Sequence, residues 1–347
     1  MKILIPAGYY QGGTNYFIGK AFRNLGHDIQ FCYRSIEKNH SKLTYKLKIR
    51  QFKKFDSYIK KTLEKKFNNL VIKTALEFKP DIFFSLNCKV FPETMIHLKN
   101  LNIITVSWVA DNPFDSTRFT FFPINLKYYD YLFLGDMIWE QNIRNLAPKS
   151  KIFQLVGAYA PDLFKPVTIS KTDLKRYGCN LAFAGSTYGE KAEGIYRVGI
   201  LAQIADFDLK IWGGDSWNKH FKYYPRLIKS YQGSRLEFHE LNKLYQITKI
   251  NINLPNPQLY TTFQQRVFEI AAAKGFQIVD YRKDIYKYFT KKDIVTFKSI
   301  DELKEKIKYF LNKPDKRIQY IENAYQKVKN NHTYEIRMQE MLKKIRS

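Results

Sequence analysis

The chain has 347 residues, long for one α/β domain and enough for two, each with its own core. Hydrophobic residues make up 45% and aromatics 16%, spread along the whole length, which excludes an extended disordered segment. Lys and Arg number 58 against 32 Asp and Glu; the resulting charge of +26 attracts nucleic acids, anionic membranes and phosphorylated substrates alike, so charge alone selects none of them.

The opening run 2–6 predicts a strand, too short for a signal-peptide core. A Gly-rich turn over 8–15 follows, then a helix over 16–25 stopped by Gly26, then a strand near 29–33. Segment 42–78 breaks the alternation: it is Lys-rich, with Leu43, Leu47, Phe55, Ile59, Leu63, Phe67 and Leu70 at helical spacing. We expect one or two amphipathic helices inserted in the first domain. Such a basic stripe either packs as an ordinary core face or makes peripheral contact with an anionic membrane. Strands at 81–86, 103–109, 131–134 and 152–156 continue the pattern, with a helix opened by Pro92. Apolar residues at nearly every position of Ile82-Phe83-Phe84 and Ile103-Ile104-Thr105-Val106 predict a parallel sheet covered on both faces.

Two prolines and no helical period mark 157–166 as a connection, which puts the domains at 1–165 and 166–332, with 333–347 as a final helix. The alternation restarts after it. A strand over 181–184 ends in Gly185-Ser186-Thr187, a helix covers 194–204, and a strand over 209–212 ends in Gly213-Gly214. A strand at 251–254, a helix over 263–274 ended by Gly275 and a strand at 276–280 complete the second sheet. Ser299-x-x-Glu302 reads as a capping box and Pro314 as a helix start. The last helix, begun by Thr333, carries Tyr334, Met338, Met341, Leu342 and Ile345 on one stripe, which should dock back on the first domain. The fold class is therefore α/β, two Rossmann-like domains.

Ligands of open parallel sheets bind beyond the carboxyl ends of the strands. Turns Gly185-Ser186-Thr187 and Gly213-Gly214 let main-chain N–H groups approach a diphosphate. In the helix after Asn256-Pro257, Phe263, Val267, Ile270 and Ala271 form a core stripe, while Thr262, Arg266, Glu269 and Ala273 share another face. An Arg in the first turn adds positive charge to a positive helix end, so it suits a phosphate waiting there, and Glu269 suits ribose hydroxyls. The same spacing equally permits a solvated Arg266–Glu269 salt bridge.

The run Gln265-Arg266-Val267-Phe268-Glu269-Ile270-Ala271-Ala272-Ala273-Lys274-Gly275, continuing to Tyr281, with Asp284, Phe289 and the closing His332-Thr333-Tyr334-x-x-Arg337, resembles the CgeB-like (spore maturation protein) glycosyltransferases of the group-1 superfamily. Trp108-Val109-Ala110-Asp111-Asn112-Pro113-Phe114 looks like their N-terminal domain. The resemblance implies a GT-B fold, two domains facing a cleft with acceptor on the first and nucleotide-sugar donor on the second, and no obligatory metal or cofactor. It also implies that Glu269 binds the donor ribose. Retaining members carry a second glutamate eight residues upstream, where this chain has Thr261. If the reaction inverts, a base is needed; Tyr9-Tyr10-Gln11 offers no histidine, and Asp111 is the best-placed carboxylate, though it equally suits a turn residue at the Asn112-Pro113 bend. The expected donor site is thus Gly185, Ser186, Gly213, Thr261, Thr262, Arg266 and Glu269, in a cytoplasmic enzyme with three separated thiols. An oxidoreductase is the alternative, disfavoured because Gly8-x-x-x-Gly12-Gly13 lacks dinucleotide-binding spacing. Specific nucleic-acid binding is not expected, since no module for it is recognisable.

Overall fold

The computed structural model describes residues 1–8, 13–34, 53–87, 90–115, 122–187 and 192–347. Tyr9-Tyr10-Gln11, Gly12, Leu43, Leu47 and Cys88 lie outside these, as do the side chains of Phe55 and Ile59. Two compact units result, residues 1–155 with 334–347, and residues 156–333.

The first unit runs β1 (Lys2–Gly8), α1 (Thr14–Asn24), β2 (Asp28–Arg34), α2 (Lys53–Phe78), β3 (Ile82–Leu86), α3 (Pro92–Asn100), β4 (Ile104–Val109), α4 (Phe122–Asn125), β5 (Tyr131–Leu134), α5 (Glu140–Leu146) and β6 (Lys151–Gln154). Its strands form one parallel sheet in the order β2-β1-β3-β4-β5-β6. Helices on both faces explain why Ile82, Phe83 and Phe84 are all buried. Helix α2 corrects the expectation of an insertion: it links parallel strands β2 and β3, which lie on either side of β1, and such strands require a crossover. Its buried stripe is Phe67, Asn68, Val71 and Ala75, whereas Leu70 is exposed. Asn68 belongs to that stripe because its Oδ1 accepts from the Phe91 N–H and the Thr94 hydroxyl, each at 2.7 Å, fixing the start of α3. The last helix, Tyr334–Arg346, packs in this unit: Tyr334 stacks on Phe17 at 5.6 Å, and the Tyr131 hydroxyl donates to the Ile345 carbonyl at 3.1 Å.

The second unit contains α6 (Lys171–Tyr177), β7 (Leu181–Ala184), α7 (Ala192–Ala202), β8 (Leu209–Trp212), α8 (Phe238–Ile247), β9 (Ile250–Asn253), α9 (Arg266–Ala272), β10 (Gln277–Asp280), β11 (Val295–Phe297), α10 (Ile300–Leu311) and α11 (Pro314–Val328). Its parallel sheet has the order β11-β10-β9-β7-β8. The chain passes from β7 to β8 on one side and returns to β9 on the other, so the loops after β7 and β9 part at a topological switch point. Segment 157–166 belongs here, packed and not loosely connecting: the Tyr159 N–H donates to the His332 carbonyl at 3.1 Å, and Phe164 is buried.

Local chemistry differs from expectation at two caps. Helix α9 is shorter than 263–274, and Lys274, not Gly275, takes the left-handed position, with φ 57°. Gly275 serves a close approach instead, since a Cβ there would lie 2.4 Å from the Tyr245 carbonyl oxygen. At α10 the Ser299 hydroxyl accepts from the Glu302 N–H at 3.2 Å, but the Glu302 carboxylate turns to the Lys298 N–H at 2.7 Å, so only half of the capping box forms. Cys32 and Cys179 are buried free thiols, burial pushing Cys179 up to about 11. Among the described residues no helix is long and apolar enough to cross a membrane.

Candidate functional site

At the carboxyl end of β7 the chain turns through Gly185-Ser186-Thr187, and at the end of β8 through Gly213-Gly214. The two turns touch. The Gly185 N–H donates to the Trp212 carbonyl at 2.8 Å, and a Cβ on Gly213 would lie 2.2 Å from the Gly185 carbonyl oxygen and 2.0 Å from Trp217 Nε1. Trp217, fully buried, donates from Nε1 to that Gly185 oxygen at 2.9 Å. Thr187 is secured by Ser216, whose carbonyl accepts from Oγ1 at 3.1 Å. Gly213 is thus demanded by packing of the two turns, whatever else it touches.

Arg266, the first residue of α9, comes to the Gly185 turn from across the switch point, and Glu269 is the fourth residue of the same helix. Arg266 Nη1 lies 3.6 Å from where a Gly185 Cβ would stand, and its guanidinium carbon is 6.0 Å from the Phe183 ring centroid. Both side chains are half-buried, so the pair is not the solvated salt bridge that spacing alone allowed. Burial pushes the Glu269 carboxyl up to about 7, while the Arg266 charge pulls the other way. Among the described residues no hydrogen bond reaches that carboxylate. A half-buried acceptor in this state is suited to a ligand that brings its own donors.

The remaining expected residues behave differently. Thr261 is buried with its hydroxyl 3.4 Å from Asp284 Oδ2, and its carbonyl accepts from the Asp284 N–H at 2.9 Å. Thr262 is buried, and its Oγ1 has no hydrogen-bond partner among the described residues. Asp111, in the first unit beyond β4, accepts from Asn87 Nδ2 at 3.0 Å, while Asn112 makes the turn itself by accepting from the Phe114 N–H at 3.0 Å.

Sequence reasoning missed Arg197. It is 1% exposed, donates from Nη1 to the Ser186 carbonyl at 2.9 Å and from Nη2 to the Leu254 carbonyl at 3.2 Å, and so spans both lips of the switch point. Its guanidinium carbon lies 5.8 Å from the Phe183 ring centroid, and Arg266 is at 6.0 Å from the same ring. The signal was available: Gly194, Arg197, Val198 and Leu201 share the buried face of α7, and an arginine on an apolar stripe needs partners inside. The ring of His332, from the closing segment of the motif, stacks on Phe268 at 4.4 Å, which joins the two separated motif segments.

Residues 197–343, somewhat less than half of the chain, match the family described as Glycosyl transferase-like. No curated protein resembles the chain closely enough in sequence to count as a relative. Among solved structures, sucrose-phosphate synthase from Thermosynechococcus elongatus superposes with TM-score 0.71 at 14% identity, covering 99% of this chain and 98% of that one. A glycosyltransferase from Rickettsia africae gives 0.66 at 15% identity, covering 99% and 97%. Anabaena HepE in complex with UDP-glucose gives 0.65 at 10% identity, covering 99% of each chain. By the domain match and by its two parallel Rossmann-like sheets, the chain is a glycosyltransferase with the GT-B fold.

Proposed function

We propose that the second unit binds a nucleoside-diphosphate sugar, and that the enzyme, a CgeB-like member of the group-1 superfamily, transfers the sugar to a hydroxyl-bearing glycan, protein or small molecule. The observation that carries this reading is Glu269: half-buried, beside Arg266, and not hydrogen-bonded among the described residues. Two ribose hydroxyls are the donors it lacks. Arg266, against the Gly185 turn, supplies the positive charge and planar donors that a diphosphate requires. In this reading Arg266 and the main-chain N–H groups of the 185–187 and 213–214 turns offset the diphosphate charge, without a metal or a cofactor. Anabaena HepE, of the same fold, has been solved with UDP and with UDP-glucose, which supports this donor class.

Asp111 remains the candidate base should the reaction invert; its bond to Asn87 Nδ2 holds the carboxylate beyond the end of β4. Calorimetric titration with UDP, GDP, dTDP and CMP and their sugars tests the proposal, with one pair expected to bind in the micromolar range. No binding to any of them would overturn it.

A further inference from the structure

A second polar network lies over the carboxyl ends of β9 and β10, one strand from the switch point. Tyr196, next to Arg197 on α7, donates its hydroxyl to Asp280 Oδ2 at 2.6 Å. Arg282 Nη2 stands 3.1 Å from the same oxygen, while its Nε donates to the Leu259 carbonyl at 3.0 Å and its Nη1 to the Tyr281 carbonyl at 2.8 Å. Leu259 sits in the loop between β9 and α9 that also carries Thr261 and Thr262, so Arg282 ties this network to the expected donor loop. Asp280 is 5% exposed. The hydrogen bond and the ion pair both fall on Oδ2, which leaves Oδ1 for a further donor.

We propose that Asp280, oriented by Tyr196 and Arg282, recognises hydroxyl groups of the sugar carried by the donor, with Tyr260 offering its ring to the sugar's apolar face. The inference rests on the donor reading above. A carboxylate repels phosphate, so the anionic part of the donor belongs at Arg266 and its neutral, hydroxyl-rich part at Asp280. Hydroxyls donating to a carboxylate form charge-assisted hydrogen bonds, and removing one partner leaves a nearly buried charge unsatisfied, which makes such a group selective for the number and position of hydroxyls. Tyr196, 39% exposed, is part of the network, and Tyr260, 64% exposed, directly follows Leu259, whose carbonyl Arg282 holds; both are amphipathic rings of the kind that takes C–H faces. The unpartnered Thr262 Oγ1 lies in that loop as well.

The experiment compares UDP with UDP-glucose, and GDP and dTDP with their sugars, in calorimetry on wild type, Asp280→Asn, Tyr196→Phe and Tyr260→Ala. Asp280→Asn should leave affinity for the free nucleoside diphosphate within about twofold while lowering affinity for the nucleotide sugar about tenfold or more. Tyr196→Phe and Tyr260→Ala should show smaller selective losses, and they decide the matter if the Asp280 variant does not fold. Equal losses for nucleotide and nucleotide sugar would assign the network to the nucleotide and overturn the proposal, as would no loss for either. A wild type that binds neither ligand overturns the donor reading along with it, whereas a wild type that binds both with unaffected variants overturns this inference alone.

Discussion

Arg197 holds the Ser186 carbonyl at 2.9 Å from inside the second unit, so the turn that ends β7 is tied to helix α7 by a buried cation. The other arm of the same guanidinium reaches Leu254 beyond β9. A planar group with donors on two sides spans two carbonyls that an ammonium reaches only one at a time.

Replacing that clamp should cost stability before it touches anything else. Arg197→Met abandons two carbonyl acceptors in the interior, each worth about 1–3 kcal/mol when left unsatisfied, so unfolding free energy should fall by about 2–5 kcal/mol. Arg197→Lys should recover part of it. Urea denaturation measures both, and a loss under about 1 kcal/mol in the Met variant would show that water replaces the clamp freely.

Gly213 gives a second stability test. An added methyl at 2.0 Å from Trp217 Nε1 and 2.2 Å from the Gly185 oxygen must push two turns apart, and Trp217 is fully buried with its Nε1 bonded to that oxygen. Gly213→Ala should therefore destabilise by about 1–3 kcal/mol or more, the scale of overpacking. Gly26→Ala makes a useful contrast: nothing lies within 4 Å there, so its cost should be the left-handed φ of 80° alone, about 1 kcal/mol.

The strands were legible in the sequence because a parallel sheet buried on both faces writes continuous apolar runs: 131–134, 181–184 and 209–212 were read with the bounds the structure has. The crossover helix α2 was misread as an insertion because strand order is not visible in a linear sequence, and β2 and β3 looked consecutive rather than separated by β1. Within the site, Arg266 and Glu269 stood out by spacing on one short helix. Arg197 and Asp280 did not, since their partners, Ser186, Leu254, Tyr196 and Arg282, come from other segments and are brought together only by folding. Short strand β11 and helix α6, too brief to establish a period, also went unread.

Arg266→Ala should weaken nucleoside diphosphate binding by about 1.5–3 kcal/mol, the scale of a charge-assisted hydrogen bond. Stability should change less, because the side chain is only half-buried and α9 keeps its apolar face of Val267, Phe268, Ile270 and Ala271. Unchanged affinity in a folded variant would leave Arg266 as a packing residue against Phe183.

Glu269 separates nucleotide binding from local electrostatics, because the two respond oppositely to removal of its charge. Its folded value of about 7 lies above the ordinary 4.5, so between those pH values the native state keeps a proton that the unfolded chain has lost. Stability from this group is therefore full below pH 4.5, falls as pH rises, and levels off above pH 7. At about 1.4 kcal/mol per pH unit, discounted for partial exposure, the loss comes to about 2–3 kcal/mol. Glu269→Gln keeps the shape and cannot ionise, so it should match wild type near pH 4 and exceed it by about 2–3 kcal/mol at pH 8 in denaturant titrations. Binding should move the other way. An ionised Glu269 accepts from both ribose hydroxyls and the amide from one, so nucleoside diphosphate affinity should drop by about 1–3 kcal/mol in the variant. Wild-type affinity should also weaken as pH falls below 7 and the acceptor is protonated, whereas the Gln variant should lack this component of the pH dependence. Comparing ribose with 2′-deoxyribose nucleotides isolates the contact, since a variant that has lost the hydroxyl's partner no longer distinguishes them. A Gln variant that gains stability at pH 8 yet still discriminates as strongly as wild type would keep the electrostatic account and sink the ribose assignment.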